Sequence, residues 1–393
     1  MATSVPPNPL DDPSVKDPLE CPPLKWGLIG CGRVSHDFTQ ALKHLPSQKV
    51  VACSARSEDS AKAFADKHSV ASFYGGYDGL VKDVNVEIVY IGNVHAFRRS
   101  TVEMCLLADK HVLVEKPFAC SLADGEYLMG LAKERNLFIM EGMWTRFFPA
   151  VQKARNIALG ADGEDSSLGD IAKVYSDFNF YAPDHEEYPT SFVYNRKLGG
   201  GAGLLVAPYP LAAATMFFKS EPDSAKVVGQ VDEETGVDLQ GAMVLNFPPT
   251  DGEKPANAPK LPGAGVALLS WGMACESAES TTIVGASGRM TIESPGHCPT
   301  KLTVNLKAHG RGEVGKTLEY EYTMPKDTEE ITKAGGFNYP NSEGFCYEAA
   351  AVARCIGAGK KEAPQYTHAE TLVNLKLIEE IQQQLGVKPV GSD

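Results

Sequence analysis

Short apolar runs alternate with helical segments in the first third of the chain, and this alternation limits the possible folds most strongly. The apolar runs cover residues 26–29, 50–54, 88–91, 111–114 and 138–141. The helical segments between them cover about residues 34–44, 58–67, 96–108 and 122–135. Strands that alternate with helices of this length form βαβ units and a parallel sheet buried on both faces. Residues 24–144 are therefore predicted to form a doubly wound α/β domain of the Rossmann type.

The sequence pattern changes after about Trp144. Apolar runs now follow one another with Gly, Pro or Asn turns between them, at residues 173–181, 226–232, 238–247, 266–275, 280–284, 302–306 and 317–324. Two helices are predicted at the end of the chain, over residues 342–358 and 369–385. This order predicts an α+β domain with an open, mostly antiparallel sheet over residues 145–390. The proline-rich residues 1–23 are predicted to be a disordered tail.

Composition excludes several classes of protein. The net charge of −13 argues against a partner nucleic acid. No apolar stretch is long enough for a membrane span, and the N-terminus lacks the apolar core of a secretory signal. The nine cysteines are odd in number and form no CxxC, which favours reduced thiols in a cytoplasmic protein. No spacing of ligand-type residues indicates a metal site.

A dinucleotide-binding turn is predicted where the first strand ends. Gly30 permits a tight turn, Gly32 lets the backbone approach a pyrophosphate, and the small Ser35 takes the third position of the fingerprint. Arg33 and Val34 open the following helix, whose N-terminus supplies N–H donors to an anion. The surrounding βαβ pattern makes this short motif specific.

The choice between NAD and NADP is predicted from the end of the second strand. NAD enzymes usually carry an acidic residue there, but this chain has Ala55 followed by Arg56 and Ser57. Arginine can bind a 2′-phosphate with two hydrogen bonds, and a serine hydroxyl can add a third. The sequence therefore favours NADP, and the alternative is that Arg56 is only a solvated loop residue.

A further pair of charged residues, Glu115 and Lys116, ends the strand at residues 111–114 and precedes Pro117. Ligands of doubly wound sheets bind at the carboxyl ends of the strands. The sequence therefore predicts that Lys116 leaves a buried strand and enters the cofactor cleft.

With these motifs the chain resembles the Gfo/Idh/MocA oxidoreductases, and most closely the branch of dihydrodiol and NADP-dependent D-xylose dehydrogenases. The segments that carry the resemblance are residues 26–30, 138–149, 199–201 and 347–349, and it extends over about residues 24–386. It implies a Rossmann domain followed by an open, mostly antiparallel sheet. It also implies hydride transfer between the nicotinamide and a vicinal diol or a pyranose sugar.

The resemblance implies a role for individual residues. Lys116 would assist proton transfer, and Tyr209 would be the acid/base that takes the proton of the reacting hydroxyl. A nearby cation is needed because a free tyrosine has a pKa near 10. Trp144 and Arg146 would border the nicotinamide and the substrate.

Asn93 and His95 would line the cofactor cleft by the same resemblance. Ordinary structural explanations stay open for several of these residues. Tyr209 could be an amphipathic helix residue, Trp144 a packing residue, and His95 a loop histidine.

Three positions depart from the family pattern. The Asp that usually stands four residues before the catalytic Tyr or His is Leu205, and the glycine usual between them is Ala207. The histidine often found three residues after the position of His95 is Arg98. Loss of the Asp would remove a charge-assisted hydrogen bond to a substrate hydroxyl, worth about 1.5–3 kcal/mol.

Two further interpretations of the sequence stay open. The chain could be a non-catalytic NADP-binding regulator, which Leu205 favours and which Glu115, Lys116 and Tyr209 oppose. It could also be a reductase that works toward the alcohol. Apolar residues on both faces of the run at 266–271, together with the resemblance, predict a homodimer.

Overall fold

The computed structural model describes residues 17–158, 168–182, 187–218, 220–248, 264–308 and 314–391. The chain divides into two compact units. The first unit contains Met1–Phe147 and Met324–Leu372, and the second contains Phe148–Thr323 and Val373–Asp393. The sequence analysis placed residues 324–372 in the second domain, whereas the chain returns to the first unit over this stretch.

The first unit is built on six parallel strands in the order β3-β2-β1-β4-β5-β6. The strands are β1 Leu24–Ile29, β2 Gln48–Ala55, β3 Ser72–Gly75, β4 Ile88–Ile91, β5 His111–Glu115 and β6 Ile139–Gly142. The helices between them are α1 Arg33–Leu42, α2 Glu58–His68, α3 Asp78–Lys82, α4 Arg98–Leu107 and α5 Leu122–Glu134. This topology confirms the predicted Rossmann sheet. Strand β3 was not predicted because it is short and half-exposed and therefore lacks an apolar run.

The second unit is built on eight strands in the order β14-β13-β12-β11-β7-β10-β9-β8. The strands are β7 Ile171–Asn179, β8 Ser224–Val231, β9 Asp238–Phe247, β10 Gly265–Gly272, β11 Thr281–Gly285, β12 Gly288–Ile292, β13 Lys301–Leu306 and β14 Lys316–Glu321. Only β7 and β10 pair in parallel, which confirms the mostly antiparallel sheet. Helices α6 Pro149–Ala158, α7 Ala202–Leu205 and α8 Pro208–Phe217 belong to this unit, and α8 packs on β7 and β10.

Three helices follow the second sheet: α9 Glu329–Lys333, α10 Phe345–Gly357 and α11 His368–Leu385. An aromatic core explains why the chain returns to the first unit. Phe38 of α1 stacks on Tyr90 of β4 at 3.9 Å and meets the ring edges of Trp26 and Phe345 at 5.2 and 5.9 Å. Phe345 begins α10, so this helix completes the core of the Rossmann unit.

Residues 17–23, the end of the predicted disordered tail, accept hydrogen bonds in the structure. Arg354 donates to the carbonyl oxygens of Pro18 and Glu20 at 2.7 and 2.9 Å, and Gln48 donates to that of Pro22 at 2.8 Å. A proline-rich segment keeps its carbonyl acceptors, and two polar side chains use them here. The prediction of disorder is therefore wrong for residues 17–23, and residues 1–16 lie outside the described part.

The described residues bear on the predictions about membrane spans and cysteines. No single helix within the described ranges is long and apolar enough to span a membrane, although the bent pair Arg196–Leu205 and Pro208–Phe217 passes on length and composition. All nine cysteines are free, and Cys275 is exposed. A cytoplasmic location stays a prediction.

Candidate active site

The turn after β1 has the geometry that the glycine fingerprint predicted. Gly30 has φ of +92°, and a Cβ there would lie 2.9 Å from the backbone nitrogen of Asn93. A side chain at this position would therefore be both strained and in collision. The Gly30 N–H donates to the carbonyl oxygen of Ser54 at 2.9 Å, which ties the turn to the end of β2.

The N-terminus of α1 is open to an anion. Its N-cap is Gly32, where no side chain caps the helix and a Cβ would meet nothing within 4 Å. The first turn contains no acidic residue. Ser35 lies deep in the turn, and its buried Oγ has no hydrogen-bond partner in the described structure. Exposed Arg33 and half-buried Val34 open the helix. Unmet N–H donors, space and positive dipole fit the pyrophosphate of a dinucleotide.

The end of β2 places Arg56 on the surface, next to the start of α2. Ser57 is the N-cap of this helix, because its Oγ accepts from the Ser60 N–H at 3.3 Å. Glu58 and Asp59 occupy the first turn. The hydroxyl of Ser57 is therefore already used in capping, while the guanidinium of Arg56 is exposed at the end of β2.

The turn after β4 holds Asn93 and His95 in buried positions. The side-chain nitrogen of Asn93 donates to the Thr101 hydroxyl at 2.8 Å. Its Oδ1 is buried and accepts no hydrogen bond in the described structure. A buried amide oxygen of this kind is costly unless a donor reaches it.

The loop that carries Lys116 is held by a buried arginine. One terminal nitrogen of Arg98 donates to the carbonyl oxygens of Glu115 and Pro117, at 2.8 and 2.6 Å. The Nε of Arg98 donates to the carbonyl oxygen of Asn93 at 3.2 Å. The guanidinium thus bridges the residues on both sides of Lys116 and also the turn after β4.

Burial changes the ionisation of Lys116. The pKa of Lys116 is lowered to about 8, mainly by desolvation and also by Arg98, while Glu115 and Glu141 oppose the shift. Burial also raises the pKa of the Glu115 carboxyl, whose Oε1 accepts from the Tyr90 hydroxyl at 2.8 Å. A lysine with a pKa near neutrality can exchange a proton at physiological pH.

Two more carboxyl groups are buried in this part of the first unit. Glu141 of β6 accepts from the Phe118 N–H at 2.9 Å, and burial raises its pKa to about 7. Glu348 of α10 is fully buried, and neither carboxyl oxygen has a hydrogen-bond partner among the described residues. Burial together with Glu115 and Glu141 raises the pKa of Glu348 well above its ordinary value.

Trp144 and Arg146, the candidate substrate residues, are buried in the first unit. The Trp144 ring stacks on Phe345 at 4.3 Å. Arg146 forms an ion pair with Glu370 at 2.7 Å and donates to the carbonyl oxygen of Gln365 at 3.2 Å. These contacts give both residues a packing role, and a contact with substrate stays a prediction.

Tyr209 lies near the start of α8 in the second unit. Its ring meets the rings of Phe178 and His297 edge-on, with centroids 5.0 and 5.7 Å away. Leu205 is the last residue of α7 and is half-buried, and Ala207 is buried. The structure thus brings a polar ring to Tyr209 from a distant part of the sequence.

No group of three or more His, Cys, Asp or Glu side chains within the described ranges has the geometry to hold a metal ion. Residues 184–186 of the acidic stretch at 184–187 lie outside those ranges.

Two family models match the chain. One, described as an oxidoreductase family with an NAD-binding Rossmann fold, matches residues 24–143. The other, described as the GFO/IDH/MocA C-terminal domain, matches residues 163–291. The fold and the open helix N-terminus define a Rossmann oxidoreductase with a second sheet domain. The chain belongs to the Gfo/Idh/MocA oxidoreductase family, as the resemblance implied.

Relatives and solved structures agree with this family. Trans-1,2-dihydrobenzene-1,2-diol dehydrogenase of Sus scrofa is 33% identical over 93% of this chain and 97% of its own length. The Homo sapiens protein of the same name is 31% identical over 93% and 97%.

Two solved structures share the fold at lower identity. KijD10, a 3-ketoreductase from Actinomadura kijaniata in complex with NADP and TDP-benzene, has a TM-score of 0.72 at 20% identity, over 92% of this chain and 98% of that one. Levoglucosan dehydrogenase in complex with NADH and levoglucosan has a TM-score of 0.74 at 17% identity, over 92% and 97%.

Sequence reasoning missed three contributors to these sites. Arg98 was noticed only as a departure from the family, although a charged residue in an apolar helical segment was a signal of a buried role. Glu348 was part of a matched segment but was given no role. His297 had no signal, because its proximity to Tyr209 depends on the pairing of distant strands.

The ionisation of Lys116 can be tested directly. By NMR of reductively ¹³C-methylated protein, we expect Lys116 to titrate near pH 8, well below an ordinary lysine. Glu115→Gln should lower this midpoint, because the carboxylate raises the pKa of Lys116 while the amide still accepts from Tyr90. Glu103→Gln, a surface change on α4, should leave it in place. A midpoint near 10.5 in the unmodified protein would contradict this account of the site.

Proposed function

We propose that this protein is an NADP-dependent oxidoreductase that transfers a hydride between the nicotinamide and a CH–OH group of a vicinal diol or a pyranose sugar. The observation that carries the proposal is the Lys116 loop. It places a lysine of lowered pKa at the carboxyl end of β5, in a sheet whose β1 and β4 ends carry a dinucleotide-type turn. Rossmann sheets bind their ligands at this edge.

The residues of the chain account for binding and for proton handling. The uncapped N-terminus of α1 would hold the pyrophosphate, and the Asn93 and His95 turn would border the nicotinamide half. When bound, the nicotinamide accepts or donates the hydride. Tyr209 would take the hydroxyl proton during oxidation, and Lys116, through its charge, would favour the phenolate form. Arg98 fixes the backbone on both sides of Lys116 and so fixes the position from which the lysine acts.

The substrate class rests on the relatives. Those at 31–33% identity are named for a trans-dihydrodiol. Solved structures of the same fold are named for sugar chemistry, among them levoglucosan dehydrogenase and an aldose-aldose oxidoreductase from Caulobacter crescentus. Both groups of substrates present neighbouring hydroxyls on a six-membered ring, and this shared chemistry defines the proposed substrate.

The preference for NADP rests on Arg56. Its exposed guanidinium stands at the end of β2, the position from which a ribose 2′-substituent is recognised. Ala55, which stands where an NAD enzyme would carry an acid, is buried and apolar.

We expect Arg56→Ala to remove most of the preference for NADP+ over NAD+, because the 2′-phosphate loses its partner. Dissociation constants of both cofactors, measured by isothermal titration, give the result. The affinity for NADP+ should fall about tenfold or more while that for NAD+ stays nearly constant. Lys62→Ala, a cation of the same helical region paired with Asp66, is the control. Equal affinities for the two cofactors in the unmodified protein would overturn the assignment of NADP.

A second candidate function is a cofactor-binding regulator without turnover, and Leu205 is the observation that favours it. The deciding experiment follows NADP+ reduction over pentoses, hexoses and trans-dihydrodiols, and records melting temperatures with NADP+ alongside. Turnover of any member supports the enzyme. Stabilisation by NADP+ without turnover of any member supports the regulator.

The proton-transfer residues have a separate test. Tyr209→Phe should reduce turnover by about 10²–10⁴-fold and leave NADP+ affinity nearly unchanged, because the ring still packs against Phe178. Lys116→Met should reduce turnover in the same range. Tyr175→Phe, which alters an exposed tyrosine of the same unit, is the matched control. Unchanged turnover in Tyr209→Phe would show that Tyr209 is not the acid/base.

We also propose that the protein forms a homodimer through the open face of the second sheet. Tyr175, Leu268 and Val244 are exposed there and are direct cross-strand neighbours on β7, β10 and β9. Val228 of β8 is 72% exposed and lies two residues from Lys226, the β8 neighbour of Val244. An apolar row across three strands of one sheet, with Val228 beside it, matches a second copy of itself about a two-fold axis.

A double substitution, Leu268→Lys with Val244→Lys, should convert the dimer to a monomer, because four like charges would meet at the two-fold axis. Sedimentation velocity at micromolar concentration measures the change. Val84→Lys alters an isolated exposed valine of the first unit and should leave the dimer intact. A monomer in the unmodified protein would refute the proposed association.

A further inference from the structure

Tyr209 belongs to a cluster of three rings in the second unit. The rings of Phe178 and His297 stack in parallel, with centroids 4.5 Å apart and planes 5° apart. Tyr209 meets both of them edge-on, at interplanar angles of 63° and 64°. The imidazole is therefore held in a fixed plane beside the proposed acid/base, at a distance of 5.7 Å between ring centroids.

A carboxylate fixes the other side of this imidazole. Nδ1 of His297 lies 3.1 Å from Oε2 of Glu279, and the two side chains are only 13% and 16% exposed. The carboxylate lies against this ring nitrogen and attracts an N–H there. This arrangement equips a histidine to exchange a hydrogen bond with a polar ligand.

The backbone of Glu279, whose carboxylate contacts His297, has an unfavourable conformation. Its φ is +48°, a left-handed value that glycine adopts readily and glutamate seldom does. The N–H of Glu279 donates to Oδ2 of Asp177 at 3.0 Å, and its carbonyl oxygen accepts from the Gly296 N–H at 2.5 Å. Such strain persists where the surroundings enforce it, and it is concentrated at functional sites.

The other carboxylates described near this region are already used by the fold. Asp238 accepts from the Gly203 N–H at 2.6 Å and from the Trp271 indole at 3.3 Å. Asp177 accepts from the N–H groups of Glu279 and Ser280. Neither can replace the family Asp that this chain lacks at Leu205. His297 is a polar side chain in direct ring contact with Tyr209.

We propose that His297, oriented by Glu279, hydrogen-bonds the substrate hydroxyl adjacent to the one that Tyr209 deprotonates, and so replaces the missing Asp as the residue that selects a vicinal diol. This inference rests on the proposed function. Glu279 is a positioning residue, since it acts through the imidazole. The requirement for two neighbouring hydroxyls then resides in the loop between β12 and β13 and not in α7.

The test compares substrates with and without the second hydroxyl, using the enzyme with saturating NADP+. The probe pairs are D-xylose with 2-deoxy-D-xylose and trans-cyclohexane-1,2-diol with cyclohexanol, and the pair whose diol the unmodified protein oxidises is used. His297→Phe keeps the ring stack but removes both nitrogens. It should raise KM for the diol by about tenfold or more, the loss of one good hydrogen bond, and change kcat less than about threefold.

The substrate that lacks the second hydroxyl should respond to His297→Phe by less than about twofold in KM, a change too small for a lost hydrogen bond. His297→Asn, which retains a donor and an acceptor, should recover part of the affinity for the diol. Glu279→Gln should raise KM for the diol in the same direction as His297→Phe. Glu319→Gln, at an exposed ion pair of the same unit, should change nothing. Equal changes for both substrates would overturn the proposal, because they would show only a packing role.

A binding measurement separates this inference from the proposed function. In a Tyr209→Phe background, where the acid/base is absent, isothermal titration of the diol into the NADP+ complex should still show weaker binding when His297→Phe is added. Turnover by the unmodified protein with unchanged KM in both His297 variants overturns this inference alone. If the unmodified protein neither turns over nor binds either diol, the proposed function is overturned as well.

Discussion

The position of Lys116 depends on one buried guanidinium. Arg98 is 4% exposed and donates to three carbonyl oxygens. One belongs to Asn93, after β4, and the other two belong to Glu115 and Pro117, at the end of β5. Each hydrogen bond to a charged donor contributes about 1.5–3 kcal/mol, and loss of the donor would leave buried carbonyls unpaired. The arginine therefore joins the ends of β4 and β5. Because Arg98 holds the carbonyl groups of Glu115 and Pro117, the backbone of Lys116 between them is fixed.

The buried positive charges of Arg98 and Lys116 need compensating negative charge. The first unit contains three buried carboxyl groups, one more than these two cations require. Glu115, Glu141 and Glu348 come from β5, β6 and α10. Burial raises the pKa values of all three, and Glu115 and Glu141 add repulsion at Glu348. Glu141, with a pKa of about 7, and Lys116, with a pKa of about 8, both ionise near neutral pH, which suits proton exchange better than a fully ionised network would.

The second unit holds the phenol of Tyr209 in a fixed orientation. Helix α8 packs on β7 and β10, and Phe178 of β7 meets the Tyr209 ring. Asp238 anchors the short helix α7 just before it by accepting from the Gly203 N–H. A Cβ at Gly201 would lie 2.6 Å from Oδ1 of the same carboxylate, which explains the glycine run before Tyr209. The residue that the family uses as a polar partner is apolar here, while an imidazole from another strand connection lies against the same phenol.

The sequence alone determined the Rossmann sheet, the second antiparallel sheet, the dinucleotide turn at Gly30 and Gly32, and the position of Lys116 at a strand end. These features depend on local periodicity and on residues close together in the chain, which a sequence displays directly. The tertiary structure decided what lies at a distance. It returned residues 324–372 to the first unit, because Phe345 completes an aromatic core around Phe38. It brought His297 to Tyr209, and a contact between a loop and a helix about ninety residues apart leaves no periodic signal in the sequence.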